Sequence, residues 1–315
     1  NEQFKFGLAL NAPFGLVTEW EGGANWSGRF LSEKAELINI DVTPTIAWRV
    51  SDRTGIALGV VARFAEVELR NRNAAINPIT GQPADVSANK LTSDMETGFG
   101  VTLGILHRAS DKLSVGFYYK SAVEIDFAGE AEFEQILTGV PAFDAIVADS
   151  LPDSAVPITT SVEFPDQASL GVAYRFTDRW LAEFDLNWTG WSTFDELIIE
   201  FDASSGIDDL DRPQRWDDAM NYRAGASYAL NDRSSLRFGL YFDESPQPDE
   251  TVSPLLPDAD RWGYTFGYGY TGEKYDLDAY GMYVPFDDRT TTTNLDGFNG
   301  TYSTSVWIVG GAIGF

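Results

Sequence analysis

Residues capable of acid–base, nucleophilic or metal chemistry occur throughout this chain without assembling into a constellation that uses them. There is one histidine, His107, and no cysteine. A nucleophile needs a base within hydrogen-bond reach, and the base needs an orienting partner. His107 sits beside a turn at an expected strand end with no such company, and reads as structural. Glu183 and Asp185 share one strand face, and glycoside hydrolysis uses two carboxyl groups across a cleft, but such pairs recur throughout a chain with 48 acidic residues. Asp208, Asp209 and Asp211 cluster without the spacing of a calcium loop, and there is no phosphate-binding loop. No catalytic residue, metal site or cofactor is expected. The more informative groups are cations: Arg63, Lys120, Arg223, Arg237 and Arg261 fall on faces that strand alternation turns inward. There they could meet a ligand's carboxylate head group or pair with Asp41, Glu124, Asp126, Glu183, Asp185 and Asp243.

The elements that must carry these cations are set by five short acidic–basic turns: Ser51-Asp52-Arg53, Ser110-Asp111-Lys112, Thr177-Asp178-Arg179, Asn231-Asp232-Arg233 and Gly272-Glu273-Lys274. Each joins two long stretches of alternating apolar and polar residues, whereas the connections between them are longer and irregular. Tight turns thus lie on one side and long loops on the other, as in outer-membrane barrels. After Lys112 one face reads Leu113, Val115, Phe117, Tyr119, Val123, Ile125, Phe127 and the other Ser114, Gly116, Tyr118, Lys120, Ala122, Glu124, Asp126. After Arg179, Trp180, Ala182, Phe184, Leu186 and Trp188 oppose Glu183, Asp185, Asn187 and Thr189. Charges along the inner face of a dry core would be costly; a wet lumen accommodates them. The expected fold is therefore all-β, an antiparallel transmembrane β-barrel forming a single domain over 1–315.

Composition agrees. Of 315 residues 43% are hydrophobic and 14% aromatic, yet no run of about 18 apolar residues suggests a membrane helix. The net charge of -26 argues against nucleic acid as a partner. About twelve strands are expected, roughly 3–20, 34–50, 54–70, 92–109, 113–129, 160–176, 180–201, 217–230, 234–245, 261–271, 275–287 and 301–315. In the last, Trp307, Val309, Ile313 and Phe315 share a face, and the terminal aromatic resembles the signal read by the barrel-assembly machinery. No signal peptide is visible. External loops are expected at about 71–91, with Ile76 and Ile79, and at 131–159, with Phe133, Ile136, Leu137, Phe143, Ile146 and Val147. The spacing of Phe133, Ile136 and Leu137 suggests a short helix over the barrel mouth.

The first strand is interrupted. Asn11-Ala12-Pro13-Phe14-Gly15 breaks the run from Phe4 to Trp20, because proline lacks a donor for the ladder and glycine weakens a strand interior. An unpaired backbone group in hydrocarbon costs several kcal/mol unless it faces protein or water, so the break should line an opening. Pro44 marks a second interruption.

These residues, with Leu37-Ile38-Asn39-Ile40, Lys120-Ser121-Ala122-Val123-Glu124-Ile125-Asp126-Phe127, Asn187-Trp188-Thr189-Gly190-Trp191-Ser192, Phe242-Asp243-Glu244-Ser245-Pro246 and Pro257-Asp258-Ala259-Asp260-Arg261, resemble in order and spacing the FadL family of outer-membrane long-chain fatty acid transporters, which includes aromatic-hydrocarbon channels. The resemblance covers nearly the whole chain. It implies a fourteen-stranded barrel with an N-terminal hatch and a kinked third strand that opens the wall sideways, with Asn11 to Gly15 at the kink. The hatch with its Asn-Pro-Ala motif and the first two strands have no counterpart here, leaving about twelve of fourteen; a fragment and a smaller barrel both fit. Arg70 aligns with a family arginine that contacts ligand head groups, whereas parity selects Arg63; a bulge between them would reconcile the two. A family lysine is replaced near Asp217.

The expected function is passive uptake of hydrophobic molecules such as long-chain fatty acids across the outer membrane of a Gram-negative bacterium, with capture by the external loops and sideways release at the break. Outer-membrane lipid and lipopolysaccharide would surround a monomer. A general porin is the alternative, and a soluble carbohydrate-binding β protein a more distant one.

Overall fold

The computed structural model describes residues 3–314, and in it the five acidic–basic turns form the tight connections at one end of an antiparallel sheet. Four of them are closed by their own first side chain: oxygens of Ser51, Ser110, Thr177 and Asn231 accept the N–H two residues on at 3.2, 3.2, 3.2 and 2.9 Å. A short polar side chain that satisfies a backbone donor locally is what reverses the chain in so few residues. In the fifth, the Gly272 N–H donates to the Tyr275 carbonyl at 2.8 Å.

In chain order the strands are β1 (Phe4–Asn11), β2 (Leu16–Glu19), β3 (Lys34–Ser51), β4 (Thr54–Ile76), β5 (Pro83–Ser93), β6 (Glu96–Arg108), β7 (Leu113–Lys120), β8 (Val123–Gln135), β9 (Val156–Phe164), β10 (Gln167–Arg175), β11 (Trp180–Thr189), β12 (Glu196–Phe201), β13 (Leu210–Pro213), β14 (Ala219–Ala229), β15 (Ser234–Asp243), β16 (Arg261–Thr271), β17 (Asp276–Pro285), β18 (Arg289–Thr290), β19 (Thr301–Tyr302) and β20 (Ser305–Gly314). Twelve of them pair in one antiparallel succession at the tight-turn end: β1, β3, β4, β6, β7, β10, β11, β14, β15, β16, β17, β20. Among the described residues no ladder joins β1 to β20. Phe6, Leu8, Leu58, Phe99, Phe266, Trp307 and Val309 are exposed on this wall while Asp41, Arg63 and Lys120 are buried behind it. That inversion of the soluble pattern is the one a lipid-facing barrel requires. Phe315 lies outside the described residues.

β4 is 23 residues long, about twice what crosses a bilayer. Its first half pairs with β6 and its second with β5, and from there an outer sheet continues through β8, β9, β12 and β13. Three successive passages break between the tiers, at 94–95, 121–122 and 165–166. The break at Ser121-Ala122 overturns the single-face reading of 113–129. Lys120 faces inward, and after two residues that belong to no strand so do Val123, Ile125 and Phe127, each at most 3% exposed, while Glu124 and Asp126 point away from the core. Alternation holds only within an unbroken strand. With Ala65 and Phe164 the three form the main apolar core, against which Phe14, Leu37, Val67 and Val162 pack.

Pro44 interrupts one of the two ladders of β3 and leaves the one to β1 continuous. The ladder to β4 skips Thr43 and Pro44 and resumes at Thr45 without a change of register. The expected helix at Phe133 is also corrected: strand alternation carries β8 through Gln135, and the helix α1 lies at Pro141–Ser150. Phe143 and Val147, one turn apart, press it onto Val86.

Candidate functional site

β1 and β2 are one strand interrupted, since both pair with β3. Asn11 faces Asp41 and Leu16 faces Leu37, so the four residues Ala12–Gly15 stand opposite the three residues Ile38–Ile40. One extra residue without a ladder is a bulge, and Pro13 has no N–H to contribute. The bulge delivers Phe14 into the interior. Its ring lies 5.5 Å from that of Phe164 and, edge-on, 5.4 Å from that of Trp191.

Beneath Phe14 lies a buried ion cluster. The cross-strand partners Asp41 and Arg63 form a two-pronged pair at 2.7 and 2.8 Å, and Lys120, the last residue of β7, donates to the same carboxylate at 2.9 Å. Their side chains are 1%, 1% and 5% exposed. The Phe14 ring centre is 4.8 Å from the Arg63 guanidinium carbon and 5.8 Å from Lys120 Nζ, and Phe164 lies 5.0 Å from Arg63. Cation–π contact is strongest where water is excluded.

Above the cluster is an apolar cavity of about 160 Å³ whose wall includes Leu37, Val67, Phe127, Val162, Phe164 and Phe194. A second cavity of about 260 Å³ shares Leu69, Leu91, Leu197, Ile199 and Leu255 with it, and adds Phe133, Arg70, Arg212, Asp208 and Asp209 at its polar end. Arg70 is held by Glu68 at 2.9 Å. Arg212 donates to the Leu31 carbonyl at 3.4 Å, and burial pulls its guanidinium pKa down against the opposing pull of Asp296. On the far side a lumen cavity of about 750 Å³ is lined by Arg223, Arg237 and Arg261. Arg223 donates to Asn221 at 2.6 Å, whereas Arg237 pairs with Asp278 at 2.5 Å and Arg261 with Asp243 at 2.5 Å.

The six cations singled out from sequence therefore sit in three places. Arg63 and Lys120 converge under the break, Arg70 stands at the outer cavity, and the other three line the lumen. β3 and β4 pair in constant register from Asp41–Arg63 to Lys34–Arg70, so no bulge lies between Arg63 and Arg70. The loops expected at 71–91 and 131–159 are shorter, because β4, β5, β8 and β9 run into them: Ile76 ends β4 and is exposed, as are Ile79, Leu137 and Ile146, whereas Phe143 and Val147 are the buried face of α1, Ile136 is bonded to the Val86 carbonyl, and Phe133, in β8, lines the outer cavity. Sequence reading missed Phe164, Trp191, Phe194 and Arg212. Pro165 and Gly190 beside the first two were the available signal, as strand breakers that let neighbouring side chains turn inward.

A family model described as "Outer membrane protein transport protein (OMPP1/FadL/TodX)" matches residues 1–314. The chain belongs to this family. Similar to this OMPP1/FadL/TodX member are the 47 kDa outer membrane protein of Pasteurella multocida (strain Pm70), 27% identical over 86% of this chain and 64% of its own length, and the long-chain fatty acid transport protein of Salmonella typhi, 23% identical over 87% and 64%. The chain thus spans just under two thirds of these curated relatives. Among solved structures, a FadL homologue of Pseudomonas aeruginosa matches with a TM-score of 0.79 at 21% identity, covering 99% of this chain and 74% of that one. The Ralstonia pickettii toluene transporter TbuX matches at 0.68 and 18%, covering 99% and 77%. These likenesses establish the fold of this family member as an antiparallel β-barrel, and the family and its relatives, named as outer membrane proteins, place it in the Gram-negative outer membrane.

Proposed function

We propose that this chain conducts hydrophobic molecules, of the fatty acid or aromatic-hydrocarbon class named for its relatives, by passive diffusion from the outside to a sideways exit at Ala12–Gly15. The observation that carries this reading is continuity: the outer cavity adjoins the apolar one, and Phe164 in the wall of the apolar cavity touches Phe14 of the strand break. Each methylene buried along such a path gains roughly 0.8 kcal/mol, enough to draw an alkyl chain from water without tight polar binding. Ile76, Ile79, Leu137 and Ile146 are the exposed apolar groups available for first capture. On β20, Trp307, Val309 and Ile313 are exposed on one face, in keeping with recognition by the barrel-assembly machinery.

Replacing Pro13 with Val and Gly15 with Thr tests the exit. β-branched residues favour an extended, paired backbone, so the double substitution should straighten the strand and lower labelled-oleate uptake, in cells lacking their own transporter, at equal surface abundance. Unchanged uptake would move the exit to the tight-turn end. The wide charged lumen favours a second reading, a general solute pore. Liposomes carrying the protein should swell in sugar solutions if that reading holds, and stay intact if hydrophobic uptake does.

A further inference from the structure

The cluster under the break is unbalanced. Arg63 and Lys120 share the single carboxylate of Asp41, and among the described residues no other carboxylate is within ion-pair distance of either cation. One positive charge is therefore left over on side chains at most 5% exposed, and among the described residues the faces of Phe14 and Phe164 lie against it. A buried charge without a counter-charge is expensive, and a quadrupole compensates it only in part. Phe14 belongs to the unladdered bulge, so it is the wall of this site least held by backbone hydrogen bonds. The apolar cavity is lined by Phe164, whose ring lies 5.5 Å from that of Phe14.

We propose that Arg63 and Lys120 form an anion site closed by Phe14, and that a carboxylate-headed amphiphile displaces this ring to pair with the surplus charge. The site thereby distinguishes monocarboxylates from neutral hydrophobes at the break itself. This rests on the reading that hydrophobic molecules move past Phe14. It assigns a role to the cluster that a plain hydrophobic slot would lack: a neutral hydrocarbon gains nothing from moving Phe14, whereas a carboxylate exchanges a cation–π contact for a charge-assisted hydrogen bond, roughly twice as strong as a neutral one.

Lys120→Met is the decisive variant, since it removes the surplus charge and leaves Asp41 its two-pronged bond to Arg63. The protein is placed in phosphatidylcholine vesicles, whose lipid carries no carboxylate, and dodecanoate and 1-dodecanol are titrated against the part of the tryptophan fluorescence lost in Trp191→Phe. The wild type should half-saturate with dodecanoate at a concentration about tenfold or more below that for dodecanol, a ratio corresponding to one charge-assisted bond. In Lys120→Met that ratio should collapse toward one, with an unheated-gel band showing that the barrel still forms. Phe14→Leu should tighten dodecanoate several-fold, because the ligand no longer competes with the ring. Equal binding of the two ligands to the wild type, no binding of either, or an unchanged ratio in Lys120→Met overturns the site. Selective dodecanoate binding combined with normal uptake by the Pro13/Gly15 variant would keep the anion site and discard the lateral exit.

Discussion

Single residues decide how tightly the two tiers of this barrel meet. Gly98 is overlain by β8: a β-carbon there would strike the Glu124 carbonyl and the side chains of Val123 and Ile125. Gly98→Val should therefore destabilise the folded barrel by about 1–3 kcal/mol, seen as an earlier loss of the compact band in a heating series on unheated-sample gels; an unshifted series would mean that β8 does not lie against β6. Parity alone was enough to turn Arg63 and Lys120 inward. That both converge on Asp41 was not legible, because the contacts span 22 and 79 positions of sequence and no local pattern encodes which inward groups share a height. Glu124 and Asp126 were misplaced for a related reason. Ser121-Ala122 contains neither proline nor glycine, so nothing in the residues announces the break that flips the faces, whereas Pro13 and Gly15 announce theirs.

Elements built from local chemistry were the readable ones. All five turns follow from a short polar or glycine first residue, and the exposed turn at Asn231 is open to direct test. Asn231→Ala removes the acceptor for the Arg233 N–H and should cost about 1 kcal/mol, measured by urea titration of the refolded barrel. The segment before β3 depends on distant partners instead. Arg29 donates twice to Asp85, both at 2.9 Å, and Arg72 bridges Asp85 and Glu33. The Arg29 hydrogen bond holds the Asp85 carboxyl below the usual carboxylate range. A carboxyl lowered by folding contributes stability that is present above its ordinary value of about 3.9 and is lost as pH falls through the lowered one. Residues 20–33 should therefore resist limited proteolysis at pH 7 and become cleavable in that acidic window. Asp85→Asn should be cleaved at pH 7 as readily as the wild type in acid; equal resistance of the two at neutral pH would show that the pair does not hold the segment.

At the scale of the whole molecule, turn asymmetry and outward aromatics foretold the membrane barrel and its twelve-strand wall, while the division into two tiers emerged only from long-range pairing. A barrel of this kind should migrate differently before and after heating and require detergent for extraction; recovery as a detergent-free soluble monomer would contradict the membrane assignment. The division has a kinetic consequence. No ladder joins the described residues 96–101 of β6 to 123–128 of β8; at the borders of this stretch Ser121 donates to Val101 at 3.0 Å and Asp94 to Ala128 at 2.9 Å. Protection from solvent exchange follows the cost of opening each amide, so protection should dip within the wall rather than rise smoothly from its rims to its middle. Deuterium uptake should run ahead along this seam while β14, β15 and β16, laddered on both sides over 221–228, 235–243 and 264–270, remain slow. The barrel would then relax as two plates about a crease, its outer tier able to tilt on millisecond timescales while the inner staves keep their register.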